Sequence, residues 1–159
     1  MKDQKFYDKI TYRSLETLMT STWAEATLQG LQEMWDLPQK ECIWAVAGYQ
    51  GAIAFGQTTC GLLIGCATAI GLKFGQEKKG TPMENKKTRD QAIRVVNDLY
   101  KAFYAEFDST ECKALTTCDF GKKGEFARYL EEQLYNDSCL KFHKYVMNRF
   151  IELDKQEKL

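Results

Sequence analysis

Residues Cys60–Gly75, CGLLIGCATAIGLKFG, decide how the rest of the chain is read. The stretch is apolar but rich in glycine and alanine, and it follows a second glycine-rich run, Ala47–Gly56, AGYQGAIAFG. Neither half reaches the ~20 apolar residues of a membrane span, and Gln50, Gln57, Thr58 and Thr59 interrupt them. Two short buried helices are expected instead, with side chains small enough for neighbouring backbones to approach closely. Thr58 and Thr59 can cap the second of these helices, which puts Cys60 in its first turn. Unpaired N–H groups and the helix dipole there favour a thiolate.

Upstream, Leu15, Leu18, Met19, Ala24, Leu28, Leu31 and Trp35 recur at three- and four-residue steps, so an amphipathic helix is expected from Ser14 to Met34. A second helix starts with Pro38, runs through Glu41–Ala47 and stops at Gly48, with Gly51 and Gly56 in the loop beyond. The Cys60 helix ends at Gly71–Gly75, with Gly75 in a left-handed terminal conformation. Residues 76–87 are polar and read as a mobile connection.

Thr88 and Gln91 form a capping box for a helix with the stripe Ala92, Val95, Val96, Leu99, Tyr100, Phe103 and Phe107. Asp108–Thr110 cap a short helix carrying Glu111–Leu115, and Phe126, Tyr129 and Leu130 mark another. Asn136–Ser138 cap a last helix with the stripe Cys139, Phe142, His143, Val146, Phe150 and Leu153. Both prolines fall between periodic segments, and no alternating β pattern of useful length occurs. The expected fold is an all-α, single-domain bundle over residues 1–159, with about five to seven helices around a small-residue-rich central pair.

Lys and Arg number 22 and Asp and Glu 22, interspersed without a basic block, which gives no nucleic-acid footprint. The polar start, MKDQKFYDKI, lacks the apolar core of a signal peptide. A reducing cytoplasm is therefore expected, with the six cysteines mainly as thiols. Small-residue helix faces also suit a homodimer seam.

Cys60, Cys112 and Cys139 share one local context, the first turn of a helix preceded by hydroxyl-bearing or acidic capping residues. Three such turns, if they converge, could hold a soft metal or an iron–sulfur cluster, or act as redox thiols. Taken singly, each reads equally well as a small buried hydrophobe. His143, four residues after Cys139 and the sole histidine, shares its helix face and would complete a three-Cys, one-His set. A lone histidine on an apolar stripe is more often a core residue with one hydrogen bond. Cys66 is expected in the core and Cys42 mostly buried, while Cys118, in a loop beside Asp119, reads as a spare reactive thiol. Phosphate-binding glycine motifs and Cys-x-x-Cys pairs are both missing, which removes support for nucleotide chemistry and thioredoxin-like exchange.

Cys60–Gly65, with Leu62 in place of alanine, resembles the central motif of a redox-active protein family with the cysteine pattern C…CGAxxG…C…C. Ala47–Tyr49, Ala69–Gly75, Glu111–Leu115 and Cys139 match it in the same order, so the resemblance spans about residues 14 to 153. It implies a small helical protein of the kind found in anaerobic microbes. It also implies a thiolate-bound metal or iron–sulfur centre at Cys60, Gly61, Cys112 and Cys139, and electron transfer with a redox partner protein. The first cysteine of the pattern is replaced by Trp23, and an indole ligates neither iron nor zinc. That leaves three outcomes. His143 or another group completes the site, the three thiols work without a fourth, or the site is lost and the fold serves as a non-catalytic binding or assembly module whose pocket Trp23 walls.

Overall fold

Helices α2 (Trp23–Met34) and α3 (Gly61–Gly75) cross so closely that glycine is obligatory at the crossing. A Cβ on Gly65 would collide with the Ala24 carbonyl oxygen and stand 3.2 Å from both the Ala24 carbonyl carbon and Thr27 Cβ. One turn earlier, a Cβ on Gly61 would lie 3.5 Å from that of Ala24. Leu28 and Leu31 of α2 and Leu62, Cys66 and Ile70 of α3 are fully buried here, the large aliphatic ones contributing about 1.5–3 kcal/mol each.

The computed structural model describes residues 2–18, 20–38, 40–49 and 53–159. The fold is all-α, as expected. Among the described residues there are seven α-helices and one 3-10 helix, and no helix is long and apolar enough to cross a membrane. Met19 and Gly51, placed by the sequence on a helix face and in a loop, lie outside the described residues.

The remaining helices wrap this pair. Helix α1 (Gln4–Thr17) is capped by the Asp3 carboxylate, which accepts from Phe6 N–H. Its face of Tyr7, Ile10 and Ser14 packs inward. The long helix expected from Ser14 is in fact two, because Thr20–Thr22 offer the backbone better partners than a continued helix. Ser21 Oγ donates to Thr17 O (2.7 Å), and Thr22 forms a reciprocal capping box with Glu25 that starts α2 afresh. Glu41–Ala47 forms a 3-10 helix, Lys40–Val46, in place of an α-helix.

Helix α4 (Lys86–Phe107) begins ahead of the expected Thr88 cap. Its cap residue is Asn85, which makes no side-chain capping bond, and a Thr–Glu pair closes the turn just before it: Thr81 N–H donates to Glu84 Oε2 (2.6 Å) and Glu84 N–H to Thr81 Oγ1 (3.3 Å). At the end of α3 the left-handed residue is Glu77 (φ 64°), not Gly75. Tyr100, expected inside, is exposed, and its phenol oxygen accepts from Thr110 Oγ1.

Helices α5 (Cys112–Thr116), α6 (Glu125–Glu131) and α7 (Cys139–Lys155) complete the bundle. Phe103 and Phe107 of α4 meet Phe142 and Tyr145 of α7 with ring centroids 4.7–6.0 Å apart. His143 lies where α1, α2 and α7 meet. Ser14 Oγ–H is donated to Ala26 O (2.6 Å), so the hydroxyl oxygen accepts from His143 Nε2–H (2.8 Å), which puts a ring proton on Nε2. Burial pushes its pKa down from 6.5 to about 4.

Two outcomes are expected. Gly65→Ala destabilises the protein by about 1–3 kcal/mol in urea unfolding, because a rigid backbone blocks the added methyl. Gly71→Ala, with nothing within 4 Å of its Cβ, is neutral or stabilising by up to about 1 kcal/mol. Equal effects at the two positions would contradict the close crossing. His143 binds no proton in the native state until about pH 4, whereas the unfolded chain protonates near 6.5. Its contribution of roughly 3 kcal/mol is complete above 6.5 and is lost as pH falls toward 4. The imidazole resonances of this sole histidine should titrate near pH 4 in the folded protein; a midpoint near 6.5 would be incompatible with the buried neutral ring.

Candidate functional site

A single antiparallel bridge between Thr59 and Glu111 ties the starts of α3 and α5 side by side. Cys60 N–H donates to Thr110 O (2.7 Å) and Cys112 N–H to Thr58 O (3.0 Å). The Thr58–Thr59 backbone is thus committed to pairing, and Cys60 itself occupies the cap position of α3, with no side-chain capping bond. Cys112 and Cys139 are the first residues of α5 and α7. Ser138, expected to cap α7, instead turns its hydroxyl back to Leu134 O (2.6 Å).

All three cysteines open onto one cavity of about 570 Å³, whose wall also includes Trp23, Tyr129, Tyr135 and Phe120. The volume is that of a small-molecule pocket. The walls are mostly apolar, and Gly61, beside Cys60, contributes backbone to them. The sequence placed Cys60, Cys112 and Cys139 together, and the fold brings them to one space. His143 is not in that wall; it sits behind Trp23, with ring centroids 5.9 Å apart.

Trp23 Nε1–H donates to the Tyr129 phenol oxygen (3.2 Å), and Tyr129 packs in one buried cluster with Cys139, where its hydroxyl favours ionisation of the thiol. Trp23 thus anchors the tyrosine that packs beside this sulfur. Tyr129 carried no role in the sequence reading. The cluster of aromatics between Cys112 and Cys139 (Phe120, Phe126, Tyr129, Tyr135) was visible there, but nothing local says that it turns inward.

The thiols are not acidic. Burial pushes Cys60 well above its ordinary value, and Cys139 and Cys112 oppose its ionisation further; Leu62 and Leu63 N–H groups at the helix start work the other way. Burial likewise moves Cys112 up to about 12 and raises Cys139. The expectation of a helix-lowered thiol pKa is thereby reversed. Each of these side chains is 4–6 % exposed, and desolvation in an apolar wall outweighs a few backbone donors. Because the thiols repel one another once charged, the first ionisation at the site suppresses the next.

Cys66 is buried in the main core, as expected, while Cys42 is only partly buried. Cys118 departs from its reading as a spare reactive thiol. It is 0 % exposed and shares a small buried cluster with Tyr129 and Cys139, against which Trp23 packs. Arg128 Nη2 lies 3.5 Å from its sulfur.

Among the described residues, no group of three or more His, Cys, Asp or Glu side chains is close enough to hold a metal ion as it stands. In comparisons with known proteins, no curated protein and no solved structure matches the chain. A family model described as "Putative redox-active protein (C_GCAxxG_C_C)" matches residues 23–153. The match runs from the tryptophan of the cavity wall through all three of its cysteines and covers most of the sequence, so the chain belongs to the C_GCAxxG_C_C family.

Proposed function

We propose that this protein is a thiol redox protein whose working groups are Cys60, Cys112 and Cys139, acting on a small apolar disulfide or a comparable two-electron acceptor that enters the cavity. The observation that carries this reading is the meeting of three helix-start thiols on one apolar wall. An iron–sulfur cluster or other thiolate-bound metal fits the donor set poorly. The position of a fourth cysteine holds an indole already bonded to Tyr129, His143 is occupied by Ser14, and the sulfurs are not gathered tightly enough for a shared ion.

Buried neutral thiols are slow nucleophiles, so the site needs a means of stabilising charge on sulfur as the substrate is attacked. The Tyr129 hydroxyl supplies it at Cys139, polarised by the Trp23 N–H behind it. In the reaction, two thiols give up two protons and two electrons and form one disulfide, and the acceptor disulfide leaves as two thiols. An apolar wall that carries neutral thiols selects an uncharged or aromatic acceptor over a charged one. A binding-only role for the same cavity is favoured by its aromatic wall, and the two readings differ in whether the thiols react.

Titrating the reduced protein with a mild thiol oxidant under argon should remove two free thiols per chain, at least one of them from Cys60, Cys112 or Cys139, and dithiothreitol should restore them. Retention of all three as free thiols after oxidation would leave the binding role as the better reading. Tyr129→Phe should slow alkylation of Cys139 by about tenfold at neutral pH and move its pH–rate profile upward, the loss of one hydrogen bond to a charged group being worth about 1.5–3 kcal/mol. Peptide-resolved alkylation kinetics measure both effects.

A further inference from the structure

Cys118 lies outside the cavity wall, yet it is the thiol best equipped to finish a reaction begun there. It is fully buried and forms one apolar cluster with Tyr129 and Cys139. Charge on its sulfur is felt at both Cys139 and Cys112. It is also the thiol with a guanidinium beside it, Arg128 Nη2 at 3.5 Å.

That guanidinium is held in place. Arg128 Nη2 donates to Thr117 O (2.9 Å), and its Nε donates to Glu125 Oε1 (3.0 Å). The Cys118 loop is pinned as well. Cys118 N–H donates to Thr116 Oγ1, Asp119 N–H donates to Glu125 Oε2, and the Asp119 carboxylate pairs with Lys113 of α5. Burial raises the Cys118 pKa, and Glu125 and Glu132 oppose its ionisation as well, while Arg128 works the other way and offsets part of the cost of charge on the sulfur.

Resting on the thiol redox reading above, we propose that Cys118 is the resolving thiol for Cys139. A substrate disulfide enters the cavity and Cys139 attacks one of its sulfurs. The substrate S–S bond breaks, one half departs as a thiol carrying the Cys139 proton, and the other half stays on Cys139 as a mixed disulfide. The Cys118 thiol, neutral at rest because burial raises its pKa, then attacks Cys139 Sγ, with Arg128 offsetting the charge that develops on its sulfur. Its proton goes to the second departing thiol, and a Cys118–Cys139 disulfide remains. Two protein thiols are oxidised and one disulfide is reduced to two thiols, so electrons and protons balance. The buried position gives the step its specificity, because no substrate in the cavity can reach Cys118 directly. It also assigns a second sulfur to a chain whose family pattern has lost one.

The test uses the reduced full-length protein and an equimolar amount of dithiodipyridine, a neutral aromatic disulfide suited to the wall, with acid quench and peptide mass spectrometry. Wild type should give a Cys118–Cys139 peptide disulfide and little adduct on Cys139. Cys118→Ser, with its fold verified by circular dichroism, should keep the thiopyridyl adduct on Cys139 at least about tenfold longer. Arg128→Gln should form the same disulfide, but about tenfold more slowly. Equal adduct lifetimes in wild type and Cys118→Ser, or a disulfide joining Cys139 to Cys60 or Cys112, would overturn the assignment while leaving the redox reading in place. Reagent found only on Cys42, with every cavity thiol untouched, would overturn both.

Discussion

The approach of α3 to the α2 backbone at Gly65 and Ala24 is the constraint on which the other features hang. A side chain at Gly65 would force the two helices apart. With none there, the first residues of both helices are drawn together, and these first residues are Trp23 and, one step ahead of α3, Cys60. The indole therefore faces the cysteine cavity because two backbones touch a turn or more further on. The Thr59–Glu111 bridge then brings Cys112 alongside Cys60, and the α7 helix start adds Cys139. The site is thus a convergence of helix starts, each set by packing elsewhere.

Such a site could in principle make acidic thiols, but the same packing prevents it. Helix starts contribute a few N–H donors, as Leu62 and Leu63 do to Cys60, while the tight approach of α2, α3 and the aromatic wall removes water. Burial is the larger effect. Reactivity must then come from specific partners near the sulfurs: Tyr129 and Ser138 at Cys139, Thr116 at Cys112 and Arg128 near Cys118. Trp23 ties the two halves of the molecule together. Its ring lies against His143 and the main core, while its N–H reaches Tyr129 in the smaller cluster.

Much of the helix plan could be read from period and composition. The stripe of α4, the small-residue helix α3 and the short helices near Cys112 and Tyr129 all follow from apolar spacing. Helix boundaries were less legible, for one physical reason repeated at several places. At Thr58–Thr59, Thr88 and Ser138, hydroxyl side chains that could cap a helix found the local backbone engaged otherwise or the helix already begun. The true capping box, at Thr22–Glu25, has the same sequence signature as the false one at Thr88–Gln91. His143 shows the other limit: its spacing from Cys139 is that of a ligand pair, yet a single hydrogen bond from the ring to Ser14 makes it a core residue.

The amino-acid sequence by itself determined that the chain is helical and that three cysteines stand at helix starts. Those are properties of residue type and local spacing, which short-range sterics and hydrogen bonding set. Only the tertiary structure decided that the three thiols share a cavity, that Trp23 is hydrogen-bonded to a tyrosine packed against Cys139, and that Cys118 is buried beside a guanidinium. These depend on contacts between residues up to about a hundred positions apart, whose geometry follows from how closely α2 and α3 can pack. Burial, which sets the protonation of every sulfur in the site, does not exist until that packing is complete.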